Sequence, residues 1–229
     1  MSIDITTTKG FGTSSLTALV HGPPGSGKTY AARTCPGKTL VVSAEAGLLS
    51  LRDVDLDVAK ITTFSDLKRV YFLLNDEGQP YEWVYIDSLS EVAEVCLAEE
   101  MGKTAHGVKA YGEMMTAVMR LVKAFRDLDV NVVMTAKQGR DVDPDGVAYM
   151  APELPGKKLS TKLPYEFDLI VASGTHTDSD GNVHRVFRTT SGQGVLAKDR
   201  SGALAPLERP DWGRIHSKIS NPPTNQTGE

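Results

Sequence analysis

The chain has 229 residues, 40% hydrophobic and 24% charged, which suits one sizeable α/β domain and is too short for two comfortable ones. A net charge of −4 speaks against a protein that coats nucleic acid through bulk charge, while leaving a local basic path open. Its two cysteines, Cys35 and Cys96, lie far apart with no C-x-x-C spacing or histidine cluster, which excludes a disulfide framework and a zinc site.

Residues 1–15 read as an irregular, Thr-rich polar arm without signal-peptide character. No apolar run approaches the ~20 residues that cross a bilayer, so a cytoplasmic protein without a membrane partner is expected. Leu16–His21 (LTALVH) is an apolar strand running into a glycine-rich loop, and Lys28–Thr34 reads as a helix stopped by Pro36-Gly37. Thr39–Ser43 is a second strand, ending at Ala44-Glu45-Ala46-Gly47, and Asp57–Ile61 a short third. Phe64–Leu74 has helical spacing, with Leu67, Val70, Tyr71 and Leu74 on one face and Asp66 at its start. Trp83–Ile86 is a buried strand ending at Asp87, followed by helices over Ser88–Met101 and Tyr111–Asp129. Asn131–Ala136 is another continuous apolar strand. Strands without in/out alternation, alternating with helices, predict a mostly parallel sheet covered on both faces. Gly139–Lys162 reads as a long loop, Asp168–Ser173 and His184–Thr189 as a β extension, and the polar tail from about residue 220 as disordered.

Gly22-Pro23-Pro24-Gly25-Ser26-Gly27-Lys28-Thr29 fits G-x-x-x-x-G-K-[ST], with the strand before it and the helix after it that the motif requires. Glycines let backbone wrap a phosphate without Cβ clashes, and the loop N–H groups face the anion. Lys28 supplies a mobile charge to the β and γ phosphates of ATP, Thr29 a hydroxyl to Mg2+, and Tyr30 flanks the nucleotide. Asp87, closing a buried strand, points at the sheet's carboxyl edge, where it can hold a Mg2+ water; the competing reading is a helix cap, a job Ser88 can also do. Glu45 ends the strand next in sequence and can orient or deprotonate an attacking water; otherwise it is a surface residue in a turn. Gln138 follows NVVMTAK and can sense the γ phosphate, or be an ordinary polar residue at a strand end.

The order GPPGSGKT, VVSAEAG, VYIDSLSE, VVMTAKQ resembles the core of RecA-type ATPases. More narrowly, over about residues 16–219, it resembles phage RecA-core proteins grouped with Sak-type single-strand annealing proteins as phage AAA ATPases. The resemblance implies a RecA-like fold, catalytic Glu45, and Gln138 coupling nucleotide state to a DNA-binding loop at about 139–162. It also implies that Lys198 and Arg200, in AKDRSG, act on a neighbouring subunit's γ phosphate, which requires a ring or filament. Residues i and i+2 of a strand project to one side, which suits a basic pair. The arm and tail are shorter than RecA's flanking elements, so annealing, or loading with a partner that binds single strands, fits better than strand exchange. Arg140, Lys157 and Lys158, with Lys137 and Lys162, are candidate phosphate contacts on single-stranded DNA, and Tyr149 and Tyr165 candidate stacking residues.

Two other functions compete. A small-molecule kinase needs an acceptor pocket and usually an arginine-rich lid, and residues 139–162 hold only Arg140. A nucleotide-gated adaptor would bind ATP and hydrolyse little. A GTPase is disfavoured by the absence of an N-K-x-D base-reading motif.

Overall fold

The computed structural model describes residues 15–45, 47–192 and 194–221. The expected arm, apart from Ser15, and the expected tail beyond Asn221 lie outside the described residues.

Strands β1 (Thr17–His21), β2 (Thr39–Ser43) and β4 (Trp83–Asp87) are buried at every residue. Each therefore needs apolar layers on both sides, and the layers follow strand parity. Leu19, Val42, Ile86, Met134 and Ile170 face one core with the helices α1 (Phe64–Leu74), α2 (Leu89–Lys103) and α3 (Gly107–Arg126). Ala18, Val20, Val41, Tyr85, Val133 and Val171 face the other. That second face is covered by the 3-10 helix Thr29–Thr34 and by α5 (Trp212–Ser220), whose Trp212 packs against Phe187 and Trp83 at ring separations of 5.4 and 6.4 Å. At ~1.5–3 kcal/mol per fully buried large apolar side chain, these two cores dominate the favourable side of folding.

The remaining strands are β3 (Asp57–Lys60), β5 (Asn131–Val142), β6 (Ala148–Glu153), β7 (Leu169–Thr177), β8 (Val183–Arg188), β9 (Lys198–Asp199) and β10 (Leu207–Glu208). The order is β10-β8-β7-β1-β5-β4-β2-β3, with β6 added to β5 and β9 to β7. The pairs β7-β1, β1-β5, β5-β4, β4-β2 and β2-β3 are parallel, so those strands end at one edge. The pairs β7-β8, β8-β10, β5-β6 and β7-β9 are antiparallel. This is the expected mostly parallel α/β sheet with a C-terminal β extension.

Local chemistry accounts for the boundaries. Thr63 accepts from Asp66 N–H at 3.1 Å and Asp66 accepts from Thr63 N–H at 2.9 Å, a capping box at the start of α1. Ser88 caps α2, accepting from Glu91 N–H at 3.3 Å.

The expected loop over 139–162 is instead structured. Strand β5 runs past Gln138 to Val142, pairs with β6, and is followed by the short helix α4 (Lys157–Lys162). The turn is Asp143-Pro144-Asp145-Gly146: Asp143 Oδ1 accepts from Asp145 and Val147 N–H at 3.0 and 2.8 Å, and Gly146 has φ +81°. Lys137–Val142 (KQGRDV) is polar because this ribbon stands beyond the packed layers, so it carries no apolar periodicity to read. Gln138 accordingly lies within a strand rather than at its end. Helix α5 was not anticipated; it starts on an Asp211 cap that accepts from Arg214 N–H at 3.0 Å.

Candidate functional site

The phosphate loop leaves β1 at the sheet's carboxyl edge. A Cβ on Gly22 would sit 2.6 Å from the Ser173 carbonyl oxygen and 2.7 Å from Ser26 Oγ, so only glycine lets the loop pack against β7. Gly25 and Gly27 have φ of +75° and +98°, left-handed conformations that favour glycine. Pro23, Pro24 and Gly25 form the exposed rim, while Ser26 is buried and its carbonyl accepts from Ser173 Oγ at 3.0 Å. Tyr85 Oη donates to the Lys28 carbonyl, holding the loop's end to β4.

Lys28 Nζ donates to the Gly22 and Pro23 carbonyls at 2.7 and 3.1 Å. Burial lowers its pKa, and the carboxylates of Asp87 and Glu45 pull it back up, so all three groups share one electrostatic site. Thr29 Oγ1 donates to Asp87 Oδ2 at 2.7 Å, and Thr135 Oγ1 donates to Asp87 Oδ1. Asp87 therefore accepts at both oxygens and is not the helix cap; Ser88 takes that job. Hydroxyl and carboxylate are hard oxygen donors, and Mg2+ takes few protein ligands beside waters and phosphates, so Thr29 and Asp87 fit Mg2+ on a bound nucleotide. No group of three or more His, Cys, Asp or Glu residues suited to another metal occurs among the described residues.

Glu45 follows β2, one strand over, and is exposed. Ser88 Oγ donates to its Oε1 at 2.6 Å, and the Asp87 carbonyl accepts from Ala44 N–H at 2.8 Å. The strand register pairs Ser43 with Asp87, so Glu45 stands two residues beyond the level of Asp87 at the same edge.

Gln138 is drawn into the same edge by topology, because β5 lies between the loop's strand β1 and Asp87's strand β4. Its Nε2 lies 3.2 Å from His21 Nδ1, and His21 Nε2 lies 2.7 Å from the Leu196 carbonyl. A carbonyl only accepts, so Nε2 carries the proton, Nδ1 accepts, and the Gln138 amide donates. His21 is fully buried, and burial pushes its pKa down to about 4, with Lys28 adding to the effect. The ring is neutral at pH 7. His21, Thr135 and Ser173 carry no signal in the sequence, because each looks like an ordinary polar residue in or beside an apolar run.

Tyr30 is 41% exposed. Its ring centre lies 4.1 Å from the Arg33 guanidinium and 5.7 Å from that of Arg185, which comes from β8 and also approaches Gly27. Arg33 is ion-paired with Asp53. Arg185 likewise carries no sequence signal, since only the β7–β8 ribbon brings it to the loop.

The remaining candidates lie apart. Lys198 Nζ donates to the Pro164 and Phe167 carbonyls at 3.0 and 2.6 Å, and Arg200 to Asp168 Oδ1 and the Tyr165 carbonyl at 3.2 and 2.8 Å. Their side chains reach one segment, although β9 ends at Asp199 and Arg200 lies outside the strand. Arg200 N–H donates to the Asp168 carbonyl, and Asp168 N–H to that of Thr17, so Arg200 lies near the start of β1, away from its own phosphate loop. Arg140 is exposed on the β5–β6 ribbon, whereas Lys157 and Lys158 open α4, so they do not share one loop. Lys137 is ion-paired with Glu91 and Glu94 at 3.3 and 3.0 Å, and Tyr149 Oη donates to Asp141 at 3.3 Å; both are committed within the chain. Tyr165 is 73% exposed. Both cysteines are free, and burial raises both thiols, Cys96 to about 11. No described helix is long and apolar enough to cross a membrane.

A glycine cradle, a lysine on it, and a Thr–Asp pair beside it on the carboxyl edge of a parallel sheet define a nucleotide-binding P-loop ATPase domain. The chain belongs to the AAA_24 family of AAA domains, whose model matches residues 14–201. A KaiC-like protein from the hyperthermophilic archaeon Pyrococcus horikoshii is structurally similar, with a TM-score of 0.46 and 13% identity over 75% of this chain and 76% of that one. No curated protein matches the chain.

Proposed function

We propose that this protein is a Mg2+-dependent ATPase that acts on single-stranded DNA as a ring or filament, in phage-type recombination or annealing. Lys28 would leave the Gly22 and Pro23 carbonyls for the β and γ phosphates, and Thr29 with Asp87 would hold Mg2+, which would supply charge neutralisation at the phosphates. Glu45, kept in place by Ser88, orients the attacking water. The observation that carries the DNA reading is the place of Gln138, at the root of a ribbon that stands beyond the sheet and bears exposed Arg140. A residue there can link the phosphate state to a surface that meets a polyanion. Lys198 and Arg200 acting on a neighbour's phosphates would have to give up their carbonyl partners on assembly. A partner that binds single strands would supply DNA affinity that a chain of net charge −4 lacks.

The test is steady-state ATP hydrolysis with and without single-stranded DNA at low and moderate salt, for wild type and Glu45→Gln. Turnover should rise several-fold with DNA and lose that rise with salt, since each phosphate contact contributes a slope of about −0.7 for single strands. Glu45→Gln should bind nucleotide and lose turnover by about 10²–10⁴-fold. Wild-type hydrolysis indifferent to DNA at every salt would overturn the DNA reading and point to a phosphoryl acceptor or a protein partner.

A further inference from the structure

Three segments meet at one buried side chain. His21 is the last residue of β1, and its backbone runs directly into Gly22 of the phosphate loop. Its Nδ1 takes the Gln138 amide at 3.2 Å, and its Nε2 takes the Leu196 carbonyl at 2.7 Å. The last two segments are joined to each other as well. Met150 of β6 donates to the Gly194 carbonyl at 2.7 Å and accepts from Leu196 N–H at 2.8 Å. The phosphate loop, the β5–β6 ribbon and the segment at 194–197 thus form a closed triangle with polar bridges on all three sides. Leu196 lies two residues before Lys198, so the triangle also leads to the basic pair.

We propose that His21 is a positioning residue that couples the phosphate loop to both the β5–β6 ribbon and the 194–197 segment. This rests on the ATPase reading of the loop. The ring is rigid, and its two nitrogens bond in different directions, so a shift of the loop at Gly22 moves both partners. A Gln138 amide turned toward a phosphate gives up Nδ1, and His21 then holds Leu196 alone. A fully buried aromatic ring has little room to move independently of its backbone. Motion at the loop therefore reaches the ribbon through Gln138 and the 194–197 segment through Leu196.

Isosteric substitutions separate the two bonds. In His21→Gln the side-chain amide reaches the Nε2 position and can donate to Leu196, but the Nδ1 acceptor is gone. In His21→Asn the side-chain oxygen sits near the Nδ1 position and can accept from Gln138, but Leu196 loses its donor. The measurement is hydrogen–deuterium exchange of the full chain, with and without Mg2+ and a non-hydrolysable ATP analogue, alongside binding of a fluorescent nucleotide. Wild type should show nucleotide-dependent change at both 138–153 and 194–197. His21→Gln should lose the change at 138–153 and keep it at 194–197, and His21→Asn should do the reverse. The kcat of His21→Gln should fall about five- to tenfold, the net worth of one hydrogen bond, with KM for ATP little altered. Both responses surviving in both variants, with nucleotide bound, would overturn the coupling and leave the ATPase reading standing. Equal loss at both segments in both variants would also overturn it, as the mark of a merely structural histidine. Wild type that binds no nucleotide would overturn the ATPase reading itself, and the coupling with it.

Discussion

Lys28 and Lys198 each point an ammonium at a pair of backbone carbonyls, Gly22 and Pro23 in one corner of the molecule, Pro164 and Phe167 in the other. Burial lowers the pKa of both. Their surroundings differ. The carboxylates of Asp87 and Glu45 partly offset that burial at Lys28, whose loop leaves the carboxyl edge of the sheet. Lys198 has a like charge, Arg200, that lowers it further before Asp168 and Glu166 raise it, and it pins β9 to the segment at 163–167. The same two bonds are a resting place for a mobile cation in the first corner and a strut in the second. The environment, rather than the residue type, decides which.

Exchanging the two corners' roles is the sharpest way to break the comparison. Lys28→Ala should reduce ATP turnover by about 10²–10³-fold, the scale of one preorganised charge at a reacting centre, with a smaller urea-midpoint loss than Lys198→Ala because the Pro23 carbonyl it leaves is open to water. Parallel kinetics and denaturation check both halves.

The loop corner should also feel pH through His21. Its folded pKa of about 4 lies below the ordinary value of about 6.5, so between those values the unfolded chain holds more protons than the folded one. Stability therefore rises with pH across that window and levels off above it. The loss from pH 7 down to pH 4 should be about 3 kcal/mol, most of the ~3.4 kcal/mol that a pKa difference of about 2.5 at ~1.36 per unit allows. His21→Gln should flatten that part of the profile, and urea melts at several pH values measure it.

At the strut corner, Lys198→Ala should cost about 1–3 kcal/mol in urea denaturation, because two carbonyls lose a charged donor. Turnover per folded molecule should hold in dilute, unassembled protein. A loss of turnover in assembled protein without a loss of stability would instead favour a role across a subunit interface. Arg200→Ala, at a half-exposed ion pair, should cost less than about 1 kcal/mol.

The nucleotide corner was legible from the chain because its chemistry is local. Eight consecutive residues, GPPGSGKT, specify loop conformation, charge and metal hydroxyl together. Asp87 and Glu45 were legible for a related reason: each follows an apolar β-branched run whose parallel direction sends its end to the ligand edge. The β5–β6 ribbon was not legible, since a polar two-stranded ribbon outside the core lacks a buried face to impose a period. Its one local signal, Asp143-Pro144-Asp145-Gly146, marks a turn without saying that strands flank it. Helix α5 is nine residues long, and its buried side is set by Trp212 and Ile215, too few to stand out as a stripe.

By itself, then, the sequence determined the phosphate loop, the parallel α/β class and the carboxylates on the ligand edge, because these follow from contiguous residues and from strands buried on both faces. Only the tertiary structure decided that β5 lies between the loop and Asp87, that His21 joins Gln138 to Leu196 across 117 and 175 positions, and that Lys198 and Arg200 grip the backbone near the start of β7. The reason is physical: strand order and long-range hydrogen bonds are set by how whole layers pack and by which buried polar groups must find a partner, and neither is written in any short stretch of chain.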